Sequence, residues 1–267
     1  MSDHTVWVGT SWKMNKTQAE ARAYASRLAT LAVPDGLQPF VLPPLTALAA
    51  VRDCLPSDTK VLLGAQNAHW AAEGAGTGEV SMRMVQDAGA ALVEMGHSER
   101  REHFGETDAT VALKARAAVD RGLTPLICVG EPAEVRDCGG ERDFVVAQVR
   151  AATARLTDAE VARTLVAYEP VWAIGVGGRP ADPAEVAPVM ATVAEDLTAR
   201  TGGRGALALM YGGSVSAANA ADLLADPHTD GLFVGRAAWT VDGLLELLAI
   251  GAASLRAGGA PVPQSFS

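Results

Sequence analysis

The chain has 267 residues, 49% of them hydrophobic, which is enough material for one large core. Its net charge of −9 argues against nucleic acid or an anionic membrane surface as a partner, and no apolar run approaches the ~20 residues of a membrane span. The first residues carry no secretory signal, and the 3 scattered cysteines fit neither a disulfide framework nor a zinc site. We therefore expect a cytoplasmic protein with reduced thiols.

Short apolar runs alternate with longer segments of helical period along the whole chain. The runs predict strands at Val6–Val8, Phe40–Leu42, Lys60–Leu63, Ala91–Met95, Thr124–Val129, Leu165–Tyr168, Ala206–Met210 and Gly231–Val234. Helices are predicted at Gln18–Ala32, Leu45–Cys54, Ser81–Ala88, Thr107–Arg121, Phe144–Leu156, Pro183–Arg200, Asn219–Leu224 and Val241–Leu255. Thr17 and Asp182 are suitable capping residues for two of these helices.

Alternating strands and helices predict an α/β fold with parallel pairing and right-handed crossovers. Repeated in this way, the units close into a (β/α)8 barrel, the TIM barrel, whose strands are apolar throughout because both of their faces are buried. We predict one domain over residues 1–255 and a flexible tail over 256–267. An open, doubly wound sheet is the alternative, but the first strand–helix turn, Gly9–Lys13, lacks a GxGxxG fingerprint.

In such a barrel the functional residues follow the carboxyl ends of the strands. The polar residues at those positions are Ser11, Lys13, His97, Glu99, Glu169, Ser214 (after Gly212 and Gly213), and Gly235 with Arg236. Each has an ordinary explanation when taken alone: Glu169 as an ion-pair partner, His97 as a helix cap, Lys13 as a solvated charge and Gly212–Ser214 as a tight turn. Their convergence on one rim predicts a functional site.

These side chains suit the removal of a proton from a carbon next to a carbonyl. Glu169 is the candidate base, while His97 and Lys13 polarise the carbonyl and stabilise the enediolate. Backbone N–H groups at the glycines, together with Ser214, suit a phosphate, and Lys13 supplies the local positive charge that an anionic substrate needs. We predict no metal and no cofactor, since neither an HExxH motif nor a carboxylate cluster with ligand spacing occurs.

Several longer motifs resemble triosephosphate isomerases, over roughly residues 6 to 250. They are Trp12–Asn15, Gln66-Asn67, Gly76–Glu79, Gly96–Arg101, Ala167–Gly175 and Tyr211–Val215. The resemblance implies a (β/α)8 barrel in which Glu169 is the catalytic base, His97 is a neutral electrophile and Lys13 and Glu99 complete the site.

The resemblance also implies a lid, a phosphate site and a partner subunit. Pro170–Gly177 resembles the lid that shields the enediolate from water. Phosphate is expected near Gly175, Ser214, Gly235 and Arg236. The loop Gly74–Glu79 resembles the one that reaches into a neighbouring subunit, which implies a homodimer with Thr77 near the partner's site.

Two departures from triosephosphate isomerases fall on neighbouring strands and hence on one wall of the pocket. Ser11 stands where those enzymes have Asn, and Arg236 stands where they have Gly. The lid differs too, with Val176 in place of Thr and Gly178–Pro180 in place of Lys-Thr-Ala. A larger pocket with an added donor suits a substrate that carries one more hydroxymethyl group than a triose.

This pattern resembles a branch of the family, the L-erythrulose-1-phosphate isomerases of erythritol and threitol catabolism. We therefore expect interconversion of L-erythrulose 1-phosphate and D-erythrulose 4-phosphate, with Ser11 making room for the extra group and Arg236 holding that group or the phosphate. The alternatives are an ordinary triosephosphate isomerase of glycolysis, a non-catalytic sugar-phosphate sensor, and a Schiff-base aldolase that uses Lys13.

Overall fold

In the computed structural model, which describes residues 5–175 and 178–258, eight parallel strands close into a barrel in chain order. Each strand pairs with the next, and β1 also pairs with β8, where Trp7 lies opposite Gly231. The strands are β1 (Val6–Ser11), β2 (Leu37–Leu42), β3 (Leu62–Ala65), β4 (Leu92–Met95), β5 (Thr124–Val129), β6 (Leu165–Tyr168), β7 (Ala208–Tyr211) and β8 (Gly231–Val234). The predicted (β/α)8 fold is confirmed.

Helices cover the outside of the barrel. They are α1 (Gln18–Leu28), α2 (Leu45–Arg52), α3 (Met82–Asp87), α4 (Ser98–Phe104), α5 (Asp108–Asp120), α6 (Ala133–Asp137), α7 (Glu141–Ala152), α8 (Asp158–Val161), α9 (Pro183–Arg200), α10 (Ala220–Leu224) and α11 (Val241–Gly258). Short 3-10 helices follow β6 at Val171–Ala173 and β8 at Arg236–Ala238. Thr17 and Asp182 cap α1 and α9 in reciprocal capping boxes with Glu20 and Glu185, as predicted.

The strands are buried on both faces, which explains their apolar sequences. Their inward-facing side chains form one cluster inside the barrel, in which the rings of Phe40 and Phe233 stack with centroids 5.7 Å apart. Their outward-facing side chains pack against the helices in a second, larger cluster. Two cores thus hold the strand ends in fixed positions, and the site is built on those ends.

Several elements differ from the prediction. The helices α4, α6 and α8 were not predicted, and α4 shows why: none of its residues is buried, so its sequence has no apolar period. The third strand begins at Leu62 rather than Lys60. Helix α11 continues to Gly258, past the predicted boundary at 255, while 259–267 lie outside the described residues. Val176 and Gly177 of the predicted lid also lie outside them.

No helix within residues 5–175 and 178–258 combines the length and the apolar character that crossing a bilayer requires.

Candidate active site at the carboxyl end of the barrel

The structure brings Glu169 and His97 together. Glu169 directly follows β6, and its backbone N–H donates to the carbonyl of Val129 at 2.7 Å, which extends the β5–β6 pairing to the site residue. His97 follows β4 and lies beside it, with 3.6 Å between His97 Nε2 and Glu169 Oε2. Both side chains are buried, so the pair occupies a water-poor position at the mouth of the barrel.

His97 is a helix cap as well as a site residue. It is the N-cap of α4, where the Glu99 N–H donates to His97 Nδ1 at 3.1 Å. Because Nδ1 accepts, the proton of the neutral ring is on Nε2, the atom that faces Glu169. Burial lowers the pKa of His97 to about 4, and the charge of Lys13 acts in the same direction. The ring is thus a neutral donor at physiological pH.

A buried ionic network fixes the turn that carries His97. Arg101 Nε donates to the carbonyl of Gly96 at 2.6 Å, while the Gly96 N–H donates to Glu106 Oε1 at 3.2 Å. Glu106 also accepts from Lys114 at 2.9 Å and from Arg100 at 2.7 Å. Burial opposes ionisation of Glu106, but the two cations outweigh it and lower its pKa. The network therefore holds both backbone groups of Gly96, the residue before His97.

The carboxyl of Glu169 has an unusually high affinity for a proton. Burial raises its pKa well above the ordinary value, and the nearby charge of Glu94 raises it further. Glu169 Oε2 is fully buried and accepts no hydrogen bond from any described residue. Gly212 allows this close packing, because a Cβ there would lie 2.7 Å from Glu169 Cγ. A buried carboxylate with an unused oxygen is suited to act as a general base.

Lys13 is held in a strained backbone conformation. Its φ is 52°, in the left-handed region that non-glycine residues rarely adopt. Gln66 Nε2 holds the turn by donating to the carbonyl of Lys13 at 3.1 Å. The ammonium donates to Glu99 Oε1 at 2.8 Å. Burial opposes ionisation of Glu99, but Lys13 outweighs that effect and lowers its pKa, so the two side chains form an ion pair at the site.

Ser11 is the last residue of β1 and is almost fully buried. Its Oγ donates to Glu94 Oε2 at 3.0 Å, while its carbonyl accepts from Trp239 Nε1 at 3.2 Å, which ties β1 to the segment after β8. Sequence reasoning missed Glu94 because it lies within a strand rather than after one. The available signal was a carboxylate inside the apolar strand Leu92–Met95.

The predicted phosphate residues follow β7 and β8, which are neighbours in the barrel. Ser214 Oγ donates to the carbonyl of Ala173 at 2.7 Å, so it contacts the segment predicted to be a lid. Gly235 precedes the 3-10 helix Arg236–Ala238, and a Cβ built on Gly235 or Gly175 meets no described atom within 4 Å. The side chain of Arg236 is exposed and makes no hydrogen bond or ion pair within the described ranges.

The segment predicted to be a lid begins with residues that are held by groups the sequence did not reveal. Trp172 Nε1 and the Tyr168 hydroxyl both donate to Glu131 Oε1, at 2.7 Å and 3.1 Å. The indole of Trp172 also contacts two guanidinium groups, Arg136 at 4.5 Å and Arg179 at 4.4 Å from the ring centroid. Arg179 was noted in the sequence only as a departure from the family pattern, yet it contacts Trp172 and forms an ion pair with Glu185 of α9.

Among the described residues, Thr77 makes no hydrogen bond to a residue of this site. It is on an exposed loop that is ordered by its own hydrogen bonds, such as Glu79 N–H to the carbonyl of Gly76 at 2.9 Å. In the described part of the chain, no group of three or more His, Cys, Asp or Glu side chains is arranged to hold a metal ion.

Comparisons with known proteins match nearly the whole barrel. The family model described as triosephosphate isomerase matches residues 6–251. The chain is 51% identical over 255 residues to a protein of Mycolicibacterium smegmatis named L-erythrulose-1-phosphate isomerase, covering 94% of this chain and 95% of that one. It is 50% identical to proteins of the same name from Rhizobium rhizogenes (94% and 96% covered) and Mesorhizobium japonicum (93% and 98% covered).

We expect His97 to stay neutral and protonated on Nε2 down to about pH 5, because burial favours the uncharged ring. The measurement is ¹⁵N NMR of the imidazole nitrogens through a pH titration, with the denatured chain as the reference for an ordinary histidine. An imidazolium signal for His97 at pH 6 would contradict this assignment.

Proposed function

Because this chain belongs to the triosephosphate isomerase family, we propose that it interconverts L-erythrulose 1-phosphate and D-erythrulose 4-phosphate. It is an enzyme of that family, a sugar-phosphate isomerase. The observation that carries the proposed chemistry is the buried pair of Glu169 and His97, with 3.6 Å between Oε2 and Nε2. One group of this pair takes a proton and the other donates a hydrogen bond, as carbonyl migration requires.

The proposed reaction moves the carbonyl from C2 to C3 of the sugar. Glu169 removes the proton on C3, and the electron pair moves toward the C2 oxygen to give an enediolate. The Nε2–H of His97 and the ammonium of Lys13 stabilise the negative charge on that oxygen. Glu169 then returns its proton to C2, while the remaining hydroxyl proton passes between the two oxygens beside His97. No atom leaves the sugar and no redox partner is needed.

Two features of the pocket support a tetrulose phosphate rather than a triose phosphate as the substrate. Ser11 is a small side chain on the wall of the pocket, and the exposed guanidinium of Arg236 is free to bind an anion or a hydroxyl. L-Erythrulose 1-phosphate is dihydroxyacetone phosphate with an added hydroxymethyl on the carbon that loses its proton. The names of the relatives agree with this substrate. The proposed setting is the catabolism of erythritol and threitol in the cytoplasm.

The main alternative is the triose reaction of glycolysis, since Glu169, His97 and Lys13 serve either substrate equally well. A Schiff-base aldolase is disfavoured by the ion pair between Lys13 and Glu99, at 2.8 Å. An ammonium in such a pair has no free lone pair with which to attack a carbonyl. A sensor without catalytic activity does not need a base whose proton affinity is raised by burial.

We also infer that the enzyme is a homodimer in which Thr77 approaches the partner's site. Thr77 is on a loop that is ordered and yet exposed in the single chain. Met14, next to Lys13, is 97% exposed, an unusual state for a methionine that adjoins a buried site. A second copy that covers both features buries an apolar side chain next to the site lysine.

Replacing Glu169 with Gln is expected to lower kcat by about 10³-fold, because the amide has almost the same shape but does not accept a proton. Deuterium exchange into the phosphorylated ketose in D2O, followed by NMR, measures the abstraction step directly. His97→Gln is a companion variant that keeps the base Glu169 and removes the imidazole donor. Turnover of Glu169→Gln at the parent's rate excludes the mechanism for either substrate.

The double variant Ser11→Asn, Arg236→Gly is expected to shift specificity toward trioses. The larger amide fills the space of the hydroxymethyl group, so kcat/KM for L-erythrulose 1-phosphate falls about 10-fold or more relative to glyceraldehyde 3-phosphate. Kinetics on both substrates measure the ratio, with the two single variants to separate the effects. An unchanged ratio means that this wall does not determine the substrate.

Thr77→Arg is expected to weaken the dimer, because it places a long charged side chain in the proposed interface. Analytical ultracentrifugation measures the association, and kcat should fall with the dimer fraction. Ala199→Arg adds the same charge on the exposed outer surface of α9 and serves as the control. A parent chain that sediments as a monomer at micromolar concentration contradicts the inference.

A further inference from the structure

A carboxyl group is buried inside the barrel below the catalytic pair. Glu94 is the third residue of β4, and alternation along the strand places it on the same face as Leu92, which belongs to the apolar cluster inside the barrel. Glu94 is only 3% exposed. Its neighbour on this face, Leu92, is fully buried among apolar side chains, so Glu94 places a carboxyl group beside an apolar core.

The carboxyl of Glu94 has very little to compensate its burial. Within the described residues, its one hydrogen bond is from Ser11 Oγ to Oε2 at 3.0 Å, and no cation forms an ion pair with it. Burial raises the pKa of Glu94 to about 8. A buried carboxyl with one neutral partner opposes folding, whereas an apolar side chain of similar size would favour it. Groups of this kind are concentrated at functional sites.

The position of Glu94 connects it to the reaction centre. Strands β1 and β4 are not neighbours in the barrel, so the Ser11–Glu94 hydrogen bond crosses the interior just below the mouth. Ser11 of β1 lies two residues before Lys13, and Glu94 of β4 lies three residues before His97. The hydrogen-bonded pair therefore lies directly below the lysine and the histidine of the site. Glu94 Oε1 accepts no hydrogen bond from any described residue, and it is not among the fully occluded polar atoms.

On the basis of the proposed function, we propose that Ser11 and Glu94 together bind the extra hydroxymethyl group of the tetrulose phosphate, with Glu94 as a specificity-determining residue. That group is bonded to the carbon that gives its proton to Glu169, so its hydroxyl lies next to the reacting carbon. Glu94 Oε1 and the lone pairs of Ser11 Oγ accept a hydrogen bond from this hydroxyl. A triose phosphate has no such hydroxyl, so it leaves the buried carboxyl of Glu94 with Ser11 as its partner. Enzymes discriminate strongly against a substrate that leaves a buried polar group without its hydrogen bond.

The test uses the whole enzyme and three single variants: Glu94→Leu, Glu94→Gln and Ser11→Ala. Kinetics with L-erythrulose 1-phosphate and dihydroxyacetone phosphate give the ratio of the two kcat/KM values. We expect Glu94→Leu and Ser11→Ala each to lower the tetrulose-to-triose ratio about 10-fold or more. Glu94→Gln keeps a hydrogen-bonding group and should retain the ratio within about threefold. The double variant Ser11→Ala, Glu94→Leu should lose little more than the stronger single variant, because the two residues act as a unit.

Thermal unfolding separates this role from a structural one. If Glu94 serves only the fold, Glu94→Leu lowers the melting temperature and affects both substrates alike; the proposal expects an equal or higher melting temperature with a changed ratio. Leu92→Met, on the same face of β4 and deeper in the barrel, is the matched control and should keep the ratio.

Two outcomes overturn the inference. In the first, the parent prefers the tetrulose phosphate, but Ser11→Ala and Glu94→Leu keep its ratio of kcat/KM values or lower both kcat/KM values to the same extent. In the second, the parent isomerises dihydroxyacetone phosphate and does not act on L-erythrulose 1-phosphate, which overturns the proposed function as well. Should Glu94→Leu not fold, Ser11→Ala carries the same test without changing the buried carboxyl.

Discussion

The burial of a carboxylate beside a neutral imidazole is the constraint on which the rest of the structure depends. Water would hydrate Glu169 and weaken it as a base, and it would also compete for Nε2 of His97. Exclusion of water raises the proton affinity of Glu169 and lowers that of His97. The first shift makes the carboxylate of Glu169 a stronger base, and the second keeps His97 neutral, so one physical cause prepares both partners.

Such a pair is costly to bury, and the barrel accommodates it through rigid supports. The backbone of Glu169 continues the hydrogen bonding of β5, and the turn before His97 is held by Arg101 and Glu106. Closure of the sheet between β1 and β8 then fixes the distance across the mouth. Packed strands on every side therefore keep these two polar side chains in place. In a flexible loop, water would reach both of them.

The sequence predicted the barrel well because a strand buried on both faces is apolar at every position, and eight such runs are hard to mistake. It failed for α4, whose residues are all partly or fully exposed and therefore show no apolar period. The rim residues could be found because strand ends are recognisable. Glu94 could not be found in this way, because whether a carboxylate within a strand meets a partner across the barrel depends on contacts 83 residues apart. The same limitation applies to the contact of Arg179 with Trp172.

The distribution of charge at the site indicates how an anionic substrate is received by an acidic protein. Glu94, Glu99 and Glu169 converge on the pocket, while Lys13 is already paired with Glu99. A phosphate therefore cannot rely on Lys13 alone for its attraction. Backbone N–H groups near Gly235 and the exposed guanidinium of Arg236 follow β8, which lies between β1 and β7 in the barrel. In the proposed reaction these groups bind the anion, while Glu169, whose proton affinity is raised by burial, transfers the proton.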